Sequence, residues 1–219
     1  MINPWLSIDK NADSFVLAVD KNRVSEYSET RQGEKSDFRL ITSVVPEPWC
    51  GAINSARVIV LSGNPHWDER DEGLPVVAHE AMWENLSGDK PLYWLRPELA
   101  ETTGSIWYRK KLLKNVLEDC DELAVQRGLC LVDYIGYRSH RWDQRLTLPS
   151  QSYTAFQIRQ AMARNCVIVV TRGWAPWTGL IPELFSYNRC FHNSSVQNVR
   201  ISRKNTSDMG FEAVTGALS

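Results

Sequence analysis

The chain has no long apolar run, no paired cysteines and no excess of charge, and each absence narrows what it can be. Nothing approaches the ~18 consecutive apolar residues of a membrane span. The opening MINPWLSIDK lacks the basic end and apolar centre of a secretory leader. A cytoplasmic protein with no membrane partner is the expectation. The five cysteines (Cys50, Cys120, Cys130, Cys166 and Cys190) include no C-x-x-C pair. That argues against a zinc knuckle, a redox pair or an iron–sulfur cluster and for reduced, structural thiols. The four histidines have no metal-ligand spacing, so no metal is expected. G-x-S-x-G, P-loop and G-x-G-x-x-G motifs are missing as well. A net charge of −1 gives no bulk basic signature for nucleic acid.

What is present reads as an ordinary globular composition, 43% apolar and 23% charged over 219 residues, enough for one domain with a full core. Residues 1 to 45 are mixed and polar and read as an appended helix or hairpin. A Pro-rich loop, VVPEPWCG, leads into a buried strand over 57–62. VVAHEAMWENL (76–86) suits a helix. The clearest helix spans 108–128, with Leu112, Leu113, Val116, Leu117, Cys120, Leu123 and Ala124 on one face and Gly128 as its C′ residue. Strand LCLVDY (129–134), a helix over 148–165, strand CVIVV (166–170), a helix near 177–187, a short strand near 188–192 and a last helix after 201–205 complete the pattern. Continuous apolar runs alternating with helices predict an α/β fold, a three-layer α/β/α arrangement around a central, mainly parallel four-stranded sheet.

In such sheets ligands bind beyond the carboxyl ends of the strands. The first strand is followed by Gly63-Asn64-Pro65-His66, the second ends on Asp133-Tyr134, the third runs into Thr171-Arg172-Gly173-Trp174, and the fourth into His192-Asn193-Ser194-Ser195. Polar and aromatic groups collect at one rim.

The order and types of those residues resemble the uracil-DNA glycosylase superfamily over about 55–205. SGNPH is similar to the family's strand ending in Gly-x-Asp/Asn-Pro, and GLCLVDY to its Gly-led strand ending in a base-reading side chain. VIVVTRGWAPW is similar to its third strand and turn, HNSSVQ to its His-x-Ser-x-Leu-Ser loop, and ISRKN to a downstream Ser-Lys-x-Asn. The resemblance implies one domain over 1–219, no cofactor, a monomer, and DNA, duplex or single-stranded, as partner with the target base flipped from the stack.

Carried over residue by residue, Asn64 would hold the attacking water through its amide carbonyl, although Asn before Pro65 also suits an Asx turn. His192 would stabilise charge on the departing base; a structural histidine, with Asn193 as the working residue, is the other reading. Ser194 and Ser195 would hold backbone phosphates, and Val196 takes the wedge position usually filled by Leu. Arg138, Arg141, Arg200, Arg203 and Lys204 follow the second and fourth rim elements as phosphate contacts.

Asp133 departs most from the family. As an ionised carboxylate it would accept from the exocyclic amine of cytosine and repel O4 of uracil, discrimination worth roughly 1–3 kcal/mol. Tyr134 lies beside it. His66 stands where the uracil enzymes carry a tyrosine that blocks C5, and with Trp67 it would leave room for a C5 substituent. The expectation is a glycosylase for a C5-modified cytosine, hydroxymethylated or glucosylated, as suits antiviral defence. The alternatives are a non-catalytic DNA- or nucleotide-binding member and a conventional uracil enzyme.

Overall fold

Val58, Ile59, Val60 and Leu61 have no solvent exposure, as expected of a strand covered on both faces. The computed structural model describes residues 1–195 and 197–219. Its sheet has five strands, β1 (Trp49–Cys50), β2 (Val58–Ser62), β3 (Leu129–Asp133), β4 (Val167–Val170) and β5 (Cys190–His192). They lie in the order β1-β3-β2-β4-β5, parallel except for β1, which is antiparallel to β3.

The fifth strand corrects the four-stranded expectation. Trp49 and Cys50 sit in a Pro-rich segment too short to show a period, yet they pair with Val132 and Leu131. The side chain of Asn85 completes the other edge of β1. It accepts from Gly51 N at 3.0 Å and donates to Trp49 O at 2.9 Å, while Trp49 Nε1 donates to Asn85 O at 2.8 Å. An edge that would otherwise be open is thereby closed.

The helices are α1 (Lys21–Ser28), α2 (Val76–Asn85), α3 (Thr103–Trp107), α4 (Lys114–Asp119), α5 (Glu122–Gly128), α6 (Gln151–Ala163), α7 (Trp174–Leu180), α8 (Arg203–Thr206) and α9 (Asp208–Leu218). The single helix read over 108–128 is in fact broken. A π-turn occupies Tyr108–Leu112, α4 ends at an extended Cys120, and Asp121 caps α5 by accepting from Ala124 N at 2.9 Å. Leu123, assigned to the apolar face, is 57% exposed. Gly128 is the last residue of α5 rather than a left-handed cap; a Cβ there would crowd Leu218 and Arg57. The helix expected near 177–187 instead starts at Trp174 and gives way at Pro182 to a short 3-10 turn.

The first 45 residues are not an add-on. Trp5, Leu17, Tyr27 and Val45 join the same core as the sheet. Buried Asp20 accepts from Tyr137 Oη at 2.8 Å and from Ser150 N at 2.9 Å, which ties this segment to the loop after β3. Among the described residues, no helix is long and apolar enough to cross a membrane.

Strand order positions the crevice. From β2 the chain goes to β3 on one side, and from β4 it goes to β5 on the other. The topological switch point is therefore the carboxyl end of the β2–β4 pair, where α/β sheets bind ligands.

Candidate functional site

The crevice at the switch point is filled by an indole. A Cβ on Gly63, just after β2, or on Gly173, just after β4, would strike the ring of Trp142. Both turns are glycine because Trp142 lies against them, and Gly173 also needs its positive φ of 73°. Trp142 packs on Tyr134 with ring centroids 5.7 Å apart, and Tyr134 meets Trp177 edge-on at 5.2 Å. Trp177 Nε1 donates to Ser62 O at 2.8 Å, whereas Trp142 Nε1 is buried with no partner.

Asp133 sits one strand away, in register with Ser62. It is 3% exposed, and its Oδ1 is buried without a hydrogen-bond partner. Burial, and then the nearby Glu47, push its carboxyl well above the usual range; Arg138, the Ser62 hydroxyl and Arg172 pull the other way without winning. Burial therefore favours the neutral form of this carboxyl, against the ionised carboxylate expected from the sequence. In its protonated form the carboxyl would offer one donor and one acceptor and would not repel uracil O4.

This protonation is testable through stability. In the unfolded chain Asp133 ionises above about pH 3.9, whereas in the fold it stays protonated to higher pH. Its contribution is thus complete below the unfolded value and is lost as pH rises toward the folded one. Asp133→Asn should gain stability relative to wild type as pH increases across that window, measured by urea unfolding at several pH values. Parallel curves for the two proteins would mean that Asp133 is ionised in the fold.

Asn64 lies two residues beyond β2 and is half-buried. Its Nδ2 donates to Pro65 O at 3.1 Å, Ser139 O at 3.0 Å and Ser139 Oγ at 2.9 Å. The amide nitrogen thus anchors the loop, while Oδ1 accepts no hydrogen bond among the described residues. An Asx turn would need Oδ1 to accept from a backbone N–H, and no such bond occurs among the described residues; the side chain ties the loop through its nitrogen instead. His66 and Ser139 form an isolated bridge, Trp67 N donates to Ser139 O at 3.2 Å, and His66 Nδ1 lies 3.1 Å from His140 O. His66 is exposed and Trp67 half-buried.

At the far strand, His192 is exposed and stacks on Trp174 at 5.0 Å. Asn193 is buried. Its Oδ1 accepts from Thr206 Oγ1 at 2.7 Å, and its Nδ2 donates to the carbonyls of Asn198 and Arg200. That occupies the amide in holding the loop, whereas the His192 imidazole is exposed, with its Nδ1 3.3 Å from Asn193 O. Asn64, Asp133 and His192 all lie at the carboxyl edge of the sheet, though at different depths. A continuous path of contacts links Ser62 and Asp133 through the Gly63–Trp142–Gly173 sandwich to Trp174 and His192.

Beyond β5 lies a polar groove of about 590 Å3 lined by Ser194, Ser195, Arg200, Arg203, Lys204 and two acids, Glu118 and Asp119, among others. Asn205 organises it, accepting from Ser194 Oγ and Ser195 N at 3.1 Å each and donating to the carbonyls of Asn198 and Arg200. Arg200 is turned onto the carbonyls of Lys110 and Lys111, and Arg203 pairs with Glu212 and Asp208. Lys204 is exposed. Val196, the expected wedge, lies outside the described residues.

The other basic cluster does not join this groove as a phosphate surface. Arg138 is buried; it pairs with Glu47 and donates to His66 O at 3.1 Å, so its role as a phosphate contact is withdrawn. Glu47 also accepts from Tyr93 Oη at 2.7 Å and Trp94 Nε1 at 2.9 Å. Arg141 pairs with Asp37 on the surface, and Arg145 with Asp143. Glu47 and Ser139 were missed in the sequence because nothing local marks them. The paired strand-end glycines, 63 and 173, were the available signal for Trp142.

Comparison with family models, with curated proteins and with solved structures finds no match for this chain.

Proposed function

We propose that the protein is a DNA glycosylase of the uracil-DNA glycosylase type, with helices on both faces of its sheet, that releases a flipped, C5-modified cytosine and leaves an abasic site. The observation that carries this reading is the buried carboxyl of Asp133, with an unpartnered oxygen and pushed toward its neutral form, on the same sheet edge as the amide of Asn64 and the imidazole of His192.

The bond broken is C1′–N1. Its electron pair leaves with the base, water oxygen adds to C1′, and the water proton ends on the base. Asn64 Oδ1 holds that water against the oxocarbenium-like sugar, and His192 stabilises charge on the base oxygen. A neutral Asp133 suits cytosine in both directions, its carbonyl accepting from the exocyclic amine and its hydroxyl donating to N3. Protonation makes uracil chemically acceptable too, so selectivity rests on the C5 side. The exposed His66 supports room there for a hydroxymethyl or sugar. Ser194, Ser195, Arg200 and Lys204 would contact the backbone.

One observation favours a second reading, a member of the same fold that binds nucleic acid without cutting it. Trp142 fills the crevice, and Asp133 is sealed from solvent. For catalysis the flipped base must displace the indole.

The test is incubation with duplex and single-stranded oligonucleotides carrying uracil, cytosine, 5-methyl-, 5-hydroxymethyl- or glucosylated cytosine, followed by alkali. Strand breaks at modified cytosine are expected. Tight binding with no break on any substrate would replace this reading with the second, and release confined to uracil would overturn the C5 argument. Asn64→Ala should lower kcat on the order of 10²-fold with oligonucleotide affinity near wild type. Equal loss of both would reduce Asn64 to a structural turn.

A further inference from the structure

The opposite edge of the sheet, at the amino ends of the strands, carries a concentration of positive charge that the base-release reading does not use. Arg57 immediately precedes β2, Arg164 ends the helix before β4, and Arg189 immediately precedes β5. Three guanidinium-bearing residues from three connections line one depression of about 440 Å3, together with Asn165, Cys166 and Gly216. No Asp or Glu side chain lines it. None of the three arginines forms a salt bridge among the described residues. In a chain with a net charge of −1 this is a local excess of positive charge.

Two of the three are partly held in place. Arg57 reaches the carbonyls of Leu218 and Ser219 at 3.4 Å, where it caps the carboxyl end of α9. Arg164 Nη2 donates to Ile53 O at 2.8 Å. Arg189 is different: its Nε is buried and has no hydrogen-bond partner among the described residues. A buried donor on a charged group costs free energy unless something accepts from it. The backbone around it is fixed, since Ile168 N donates to Arg189 O at 2.9 Å and Tyr187 Oη to Cys166 O at 2.7 Å. Arg189 thus lines the depression from a fixed backbone, with its unmet Nε donor lying beneath the surface.

We propose that this depression is a binding site for a phosphoryl group, with Arg189 and Arg164 as its principal donors and Arg57 at its rim. Planar guanidinium forks match the geometry of phosphate oxygens. The volume admits a diphosphate or the phosphate end of a mononucleotide. The site lies at the other end of the strands from Asn64 and Asp133, so it stands or falls independently of the base-release reading.

The test is isothermal titration of the full chain with pyrophosphate, ADP and a 5′-phosphorylated oligonucleotide at constant ionic strength, with sodium chloride as control. Saturable binding of at least one of them is expected, weakened about tenfold or more by Arg189→Gln and by Arg164→Gln. Arg189→Lys, which keeps the charge and loses the fork, should fall between. Binding of the small anions would identify a free metabolite as ligand, and binding of the oligonucleotide alone would identify a nucleic-acid end. Absence of saturable binding by all three, or binding that both glutamine variants leave unchanged, would overturn the proposal. Unchanged far-ultraviolet circular dichroism of the variants separates loss of the site from loss of the fold.

Discussion

Glu47→Ala should destabilise the protein by about 3–5 kcal/mol, because it leaves the buried Arg138 guanidinium without its counter-ion. For a chain of this size that is a fall in Tm of roughly 6–20 °C. The loss extends beyond one pair. Tyr93 Oη and Trp94 Nε1 lose their shared acceptor, and both rings are buried. Arg138 also holds His66 O, so its release loosens the turn that carries Asn64. Replacing both partners at once, Glu47→Leu with Arg138→Met, should recover much of the stability, since an apolar pair avoids desolvating two charges. Chemical unfolding of wild type and the two variants checks this. A single-variant loss under 1 kcal/mol would mean that the pair is solvated rather than buried.

Gly63→Ala should be the second most damaging change, and its cost should depend on Trp142. The added methyl meets the indole, with the β2 turn on one side and Gly173 behind the ring. Overpacking of this kind costs about 1–3 kcal/mol or somewhat more. In a Trp142→Ala background the methyl has space, so the same substitution should cost little. The double-mutant cycle should therefore show a coupling of 1–3 kcal/mol or so, within the usual range for contacting residues. Gly173→Ala should be rescued only in part, because its φ of 73° keeps a penalty that removing the indole does not relieve. Additive costs at Gly63 and Trp142 would show that the ring does not occupy the crevice. The same Trp142→Ala variant bears on function. If a flipped base must displace the indole, opening the crevice should raise affinity for an oligonucleotide with an extrahelical base.

Three of the four parallel strands were legible because their apolar residues run without interruption, as in Val58–Leu61 and Val167–Val170. β1 was not, because two residues flanked by prolines give no periodicity and their pairing is set by Asn85 from a distant helix. The helix over 108–128 was read as continuous because apolar spacing carries through its breaks. The sign available was Asp121, a capping residue followed by Glu122 at the start of a new helix. At the site, the residues on the strand ends could be placed from order alone. Their ionisation could not. Burial and the nearby Glu47 push Asp133 toward its neutral form, and neither has a local signature. Arg138 looked like surface charge for the same reason.

The measurement closest to the central claim is the intact mass of an oligonucleotide holding a single 5-hydroxymethylcytosine after incubation with wild-type protein and with Asn64→Ala. The account predicts that wild type removes the mass of the base and adds that of water, with the free base recovered in equal amount, while Asn64→Ala does so on the order of 10²-fold more slowly. An oligonucleotide whose mass stays unchanged in the presence of wild-type protein that binds it would contradict the account.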